Sequence, residues 1–179
     1  MQFRGASIVY HKDKLILFGG CKDFDCYNKV YSFDIKMKTL FEIVAKGTVP
    51  NARQGHCVIK YGQEMIIIGG NNEEGFLNDI YSLDLEHFIW QKLQPDNPMA
   101  FTGRTGHSCV MDDIQRIIIF GGRKMNGLTD DLFYYPIFKN VWVKAIPAGK
   151  SKPQARVDFP MNNIHNQLWV FGGYTGGEA

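Results

Sequence analysis

The chain has 179 residues, 45% of them apolar and 21% charged, with a formal net charge of +2. That content belongs to a globular chain long enough for a sizeable core, and the near-neutral balance without a basic stripe argues against nucleic acid as a partner. The apolar runs have strand length, far short of the roughly 20 residues of a bilayer span, so no membrane insertion is expected.

The N-terminal stretch around Arg4 carries no apolar signal-type segment, so secretion is not indicated and a cytoplasmic location is expected. The first apolar run, Leu15-Ile16-Leu17-Phe18, closes on Gly19-Gly20. The same event recurs at Met65 to Ile68 with Gly69-Gly70, at Ile117 to Phe120 with Gly121-Gly122, and at Leu168 to Phe171 with Gly172-Gly173. The doublets are spaced by 50, 52 and 51 residues. A fixed period of that length with strand-like content is the signature of a β-propeller array.

Each unit is read as opening at an arginine (Arg4, Arg53, Arg104, Arg156), followed in units two and three by Gly55-His56 and Gly106-His107. A short first strand comes next, then a polar turn, then the run ending at the glycine pair. After a variable polar loop the third strand alternates, as in Asn28 to Asp34, Asn78 to Asp84 and Asp130 to Pro136. The fourth strand opens on a large aromatic residue, Phe41, Trp90 or Trp142. Asp84 is placed to accept backbone N–H groups in the turn after its strand. Four turn-separated strands make one antiparallel blade. The expected fold is therefore all-β: three full four-stranded blades over 4–46, 53–94 and 104–147, plus half of a fourth over 156–179, within a larger ring. Connections over 47–51, 95–103 and 147–153 carry Pro or Gly.

His56 and His107 hold the same place in successive blades and are expected to donate to backbone carbonyls rather than to ligate metal, which needs a third and fourth donor. His11, His87 and His165 fall in or near turns. Cys21 and Cys26 are read as free thiols in a loop, and Cys57 and Cys109 as small apolar residues on inner strands. No spacing suits zinc, no loop cradles phosphate, and no cofactor is expected.

The Gly-Gly pair, Tyr81 and the Trp90 that follows Asp84 by six residues resemble the kelch motif over the whole chain. The Arg-x-Gly-His opening and Leu77 to Tyr81 are more similar to kelch proteins of the host-cell-factor and leucine-zipper-like-regulator type. Phe41 in place of Trp, Pro136 in place of Asp, and Arg156-Val157-Asp158-Phe159 without Gly-His depart from the pattern. The resemblance implies a rim of two loop sets on which a protein or peptide partner docks. By position the first is Lys22, Asp23, Asn71, Asn72, Arg123, Lys124 and Tyr174. The second is Asn51, Arg53, Thr102, Arg104 and Arg156, with a structural role favoured for the repeated arginines. Glu73-Glu74 against Arg123-Lys124 suits a mixed-charge peptide. The expectation is a non-enzymatic scaffold or adaptor; the alternative is a metal-dependent enzyme or specifier protein on the same scaffold. An incomplete ring further implies self-association, or completion by further sequence, because two blade faces stay bare.

Overall fold

A computed structural model describes residues 3–23, 25–146 and 153–177. Most of the connection expected over 147–153, and residues 178–179, lie outside them. Unit one is an antiparallel sheet with strands Ser7–His11, Lys14–Phe18, Val30–Asp34 and Thr39–Ile43 in chain order. Unit two repeats it with Cys57–Tyr61, Glu64–Asn72, Gly75–Asp84 and Ile89–Leu93, and Lys46–Gly47 adds a fifth strand parallel to the last of these. Unit three has Ser108–Met111, Arg116–Phe120, Leu132–Pro136 and Val143–Ala145. Unit four has Met161–Ile164 and Gln167–Val170. First strands of neighbouring units lie against one another, which makes them the inner strands of a propeller-type array.

The first two strands of units one and four are joined by two-residue turns, Lys12-Asp13 and His165-Asn166, with all four residues at positive φ. That geometry matches the twist of a hairpin and favours short polar residues. Asp34 accepts from the amides of Lys36 and Met37 at 3.0 and 2.9 Å, and Asp84 from Glu86 and His87 at 2.7 and 3.0 Å. Unit three, with Pro136 at that position, closes its turn on Asn140, whose side chain accepts from the Tyr135 hydroxyl at 2.5 Å.

The core lies between the sheets. Along Glu64–Asn72, Met65 and Ile67 face unit one, while Ile66 and Ile68 face unit three; all four are buried. A strand covered on both faces reads as a continuous apolar run, which is what the sequence shows at Met65 to Ile68. Trp90 packs back onto Phe18 of unit one, and Trp142 stacks on Phe101. Leu40, rather than the expected Phe41, holds the equivalent place in unit one, opposite Phe33 as Trp90 is opposite Leu83, and both Leu40 and Phe41 are exposed.

Two further readings are corrected. The four cysteines are not free: Cys21 is bonded to Cys26 across a two-residue hairpin, and Cys57 to Cys109 between adjacent inner strands. The Cα atoms of Cys57 and Cys109 stand 5.9 Å apart, ordinary disulfide spacing. The second correction concerns the opening of unit one. Arg4 bridges Cys21 as Gln54 bridges Asn71, Thr105 bridges Arg123 and Val157 bridges Tyr174. Arg4 is thus the counterpart of Gln54, and Phe3 stands where Arg53 does. The aromatic ring packs on Tyr27 and Tyr31 instead.

Candidate interaction surface

The repeated arginines tie each unit together. Arg53 donates to the carbonyls of Asn51 (3.0 Å) and Gly69 (3.1 Å), and forks onto Asp79 at 2.5 and 3.1 Å. Its guanidinium lies 5.4 Å from the Tyr81 ring centroid. Arg104 repeats this with Thr102 (3.1 Å), Gly121 (3.2 Å), Asp131 (3.6 Å) and the Phe133 ring (5.1 Å). Arg156 makes the two carbonyl bonds, to Gln154 (3.1 Å) and Gly172 (2.6 Å). Unit one lacks both halves of the pair, with Phe3 for the arginine and Lys29 at the place of Asp79. Arg53 and Arg104 are wholly buried and present no surface to a partner. Burial lowers Arg104 only to about 10, partly offset by Asp131, so it stays charged at neutral pH.

The same arginines join successive units through the glycine pairs. The second glycine of each pair donates to the carbonyl of the next unit's arginine: Gly20 to Arg53, Gly70 to Arg104 and Gly122 to Arg156, each at 2.8 Å. At Gly70 (φ +98°) a Cβ would sit 2.6 Å from the Gln54 carbonyl oxygen, a separation that no side chain can accept. A second chain of bonds crosses all four units, with Gly55 donating to Gly5 (2.9 Å), Gly106 to Gly55 (2.8 Å) and Asp158 to Gly106 (2.9 Å). The ring of the next residue sits over the first glycine of the preceding pair: His56 over Gly19, His107 over Gly69 and Phe159 over Gly121. Phe159 is therefore a true counterpart of the histidines.

His56 and His107 are buried, and both are pushed down to about 3, by loss of solvent first and then by the arginine beside each. His56 shares a 2.6 Å hydrogen bond with the Ser7 hydroxyl. At the place of Ser7, unit two has the bonded Cys57. The expected carbonyl bond is replaced, for His56, by a hydroxyl from the preceding unit.

The loop residues sort differently. Lys22 and Asp23 are exposed on the hairpin closed by Cys21–Cys26. Asn71 is half-buried and accepts from the Thr105 hydroxyl at 2.8 Å; Asn72 caps the amide of Glu74 at 3.0 Å. Arg123 is exposed beside them and Tyr174 is 58% exposed, whereas Arg156 is half-buried. Lys124 is set apart from Arg123, because it pairs with Asp131 at 2.9 Å alongside Lys144 at 2.7 Å. Burial pushes the Asp131 carboxyl up, but its bonds from Lys124, Lys144 and Thr129 more than offset that and hold it well below the usual carboxylate range.

Two cavities open on this face. One, of about 560 Å³ at the axis, is lined by Arg4, Gln54, Asn71, Thr105, Arg123 and Asp158. The other, of about 450 Å³ between units one and two, is lined by Asp25, Asn28, Asn51, Asn72, Glu73 and Glu74. The end of the strand Glu64–Asn72 separates them. Sequence reasoning missed Arg4, Gln54, Thr105 and Asp158. For Arg4, Gln54 and Thr105 the available signal was the variable residue of Arg-x-Gly-His, where fixed neighbours around a changing side chain mark a position free to specialise; Asp158 stands instead at the place of the glycine.

A family model, the KLHDC2/KLHL20/DRC7 Kelch-repeats domain, matches residues 2–173. The chain belongs to this kelch-repeat family. It is 28% identical over 187 residues to kelch domain-containing protein 3 of Homo sapiens, covering 96% of this chain and 47% of that protein. It is 24% identical to the leucine-zipper-like transcriptional regulator 1 homolog of Drosophila melanogaster, covering 95% of this chain and 18% of that one. It is also 30% identical to the N-(sulfonatooxy)prop-2-enimidothioate sulfolyase of Thlaspi arvense, over 91% of this chain and 49% of the enzyme. The chain thus spans about half the length of the kelch domain-containing protein 3 relatives it matches. Among the described residues, no three His, Cys, Asp or Glu side chains are grouped to hold a metal ion, and no helix is long and apolar enough to cross a membrane.

Proposed function

We propose that the chain is a non-enzymatic interaction module that takes an extended, mixed-charge segment of a protein partner across its loop-bearing face. One observation carries this reading: the axial cavity is lined by polar side chains from all four units, and these are side chains that differ between units. Rigid repeated scaffolding under non-repeated polar groups is the arrangement of a recognition surface. Arg4 and Arg123 give the axial cavity a basic wall, and Asp25, Glu73 and Glu74 give its neighbour an acidic one. A segment crossing Asn71 and Asn72 meets both, and the two asparagines offer amides to its backbone. The kelch family supports the interaction role, while one relative bears an enzyme's name.

Arg123→Glu tests the proposal. The side chain is exposed, so partner capture is expected to fall at least tenfold while the thermal midpoint stays within about 2 °C of wild type, as for most surface changes. Lys124→Glu is the contrasting variant: it places a carboxylate beside Asp131 and is expected to lower the midpoint as well. Undiminished capture by Arg123→Glu, measured by calorimetric titration, would remove the axial cavity from the binding surface.

A further inference from the structure

We infer that Cys57 is the moving half of a thiol–disulfide switch between units two and three, bonded to Cys109 when oxidised and hydrogen-bonded to the His107 imidazole when reduced. The junction between units one and two shows the second arrangement. Ser7 opens the first strand of unit one, opposite Phe18, and its hydroxyl meets the His56 Nε2 atom at 2.6 Å. Cys57 opens the first strand of unit two, opposite Ile68, and His107 stands where His56 does. Both imidazoles are buried over the first glycine of the preceding pair. One difference separates the two junctions. The Cys57 sulfur is drawn to Cys109 in unit three, and neither ring nitrogen of His107 has a hydrogen-bond partner among the described residues. The Ile68 backbone lies near the ring without reaching hydrogen-bond geometry.

A buried polar group left without a partner is destabilising, so the disulfide form carries a cost that the thiol form does not. Pushed down to about 3, the ring is neutral at physiological pH and accepts from a donor. Rotation about the Cα–Cβ bond of Cys57 turns its sulfur from Cys109 to the place that the Ser7 oxygen holds in unit one, and the S–H then donates to His107. Cys109 stays packed on the core between units two and three. Reduction is exchange with a dithiol. One thiolate of the dithiol attacks a sulfur of the pair to give a mixed disulfide, and its second sulfur then displaces the protein thiol. Two electrons and two protons pass to the protein, which ends as two thiols, and the reductant leaves as a cyclic disulfide. Gln54 and Thr105 of the axial cavity lie three and four residues before the two cysteines, so the switch changes how firmly that wall is held. This consequence for partner capture rests on the function proposed above, whereas the exchange of Cys57 between its two partners does not.

The full 179-residue chain is equilibrated in mixtures of reduced and oxidised dithiothreitol and alkylated, and the state of each cysteine pair is read by mass spectrometry. Wild type is expected to lose the Cys57–Cys109 bond while circular dichroism still reports the folded chain. His107→Phe, for which unit four offers Phe159 as precedent, should shift this equilibrium about fivefold toward the disulfide, because it removes both the acceptor of the thiol and the orphaned ring. The Cys21–Cys26 pair is the internal control and should not shift. Proton–nitrogen correlation spectra of the imidazoles give a second reading. Reduction should move the His107 nitrogens toward the pattern of His56, and Cys57→Ser should place them there with or without dithiothreitol. A Cys57–Cys109 bond that persists until the chain unfolds overturns the proposal and makes the link a static brace. So does a His107→Phe equilibrium equal to wild type, or His107 resonances indifferent to reduction. No partner enters these measurements, so their outcome is separate from that of partner capture by Arg123→Glu.

Discussion

Arg53→Ala is expected to destabilise the chain by about 3–5 kcal/mol, the usual cost of removing one member of a buried ion pair. In a chain of this size that lowers the thermal midpoint by roughly 6–20 °C. The guanidinium is wholly buried and satisfies the Asp79 carboxylate together with the carbonyls of Asn51 and Gly69. Truncation leaves all three without their donor and opens a void beside Tyr81. Arg53→Lys should recover little, since one ammonium cannot fork onto a carboxylate while reaching two carbonyls on either side. Asp79→Asn should cost less than Arg53→Ala, because the amide keeps the shape and one acceptor. Arg156→Ala serves as the control: with no described carboxylate beside it, the loss should stay near 1 kcal/mol. Thermal unfolding followed by circular dichroism separates these variants. An Arg53→Ala midpoint equal to that of Arg156→Ala would show that the ion pair contributes nothing beyond the carbonyl bonds.

This pair also shows what a single chain discloses when its repeats are set against each other. The apolar runs and glycine doublets made the fold legible, because crowding between blades demands them in every unit and so prints them periodically. The Arg–Asp pair was not read from the sequence, although Asp79 and Asp131 follow their arginines at almost equal distance. Arg4 obscured it: an arginine one place beyond Phe3 mimics the repeat while serving the axial cavity. Cys57 and Cys109 were harder. They stand one position apart in their units, and only the stagger between adjacent inner strands brings them together. Lys124 looked like its neighbour Arg123 because alternation along a two-residue strand turns one side chain to solvent and the next onto Asp131. The candidate surface is set by such directions, which sequence periodicity at 50 residues does not encode.

The buried imidazoles set the pH response. His56 and His107 are held to about 3 in the folded chain, by burial first and then by Arg53 and Arg104 respectively, against an ordinary value of 6.5. As the pH falls through 6.5 the unfolded chain takes up protons that the folded chain refuses. Their contribution is therefore intact above pH 6.5 and lost progressively toward pH 3. Each histidine imposes a slope of up to about 1.4 kcal/mol per pH unit, so the pair removes about 5 kcal/mol between pH 6.5 and 4.5. His87 runs the other way, raised by its bond to Asp84, but it is exposed and its effect is small. Asp84 and Asp131 are both depressed, and their contributions fade only below about pH 4, outside this window. His107→Phe isolates one imidazole, and unit four already carries Phe159 at that place over Gly121. The variant should fold and lose about half of the pH slope. Urea midpoints from pH 7.5 to 4.5 measure it. A wild-type midpoint that stays flat through this range, or a His107→Phe slope equal to wild type, would mean that the folded chain accommodates these protons and that the imidazoles are not sealed from water.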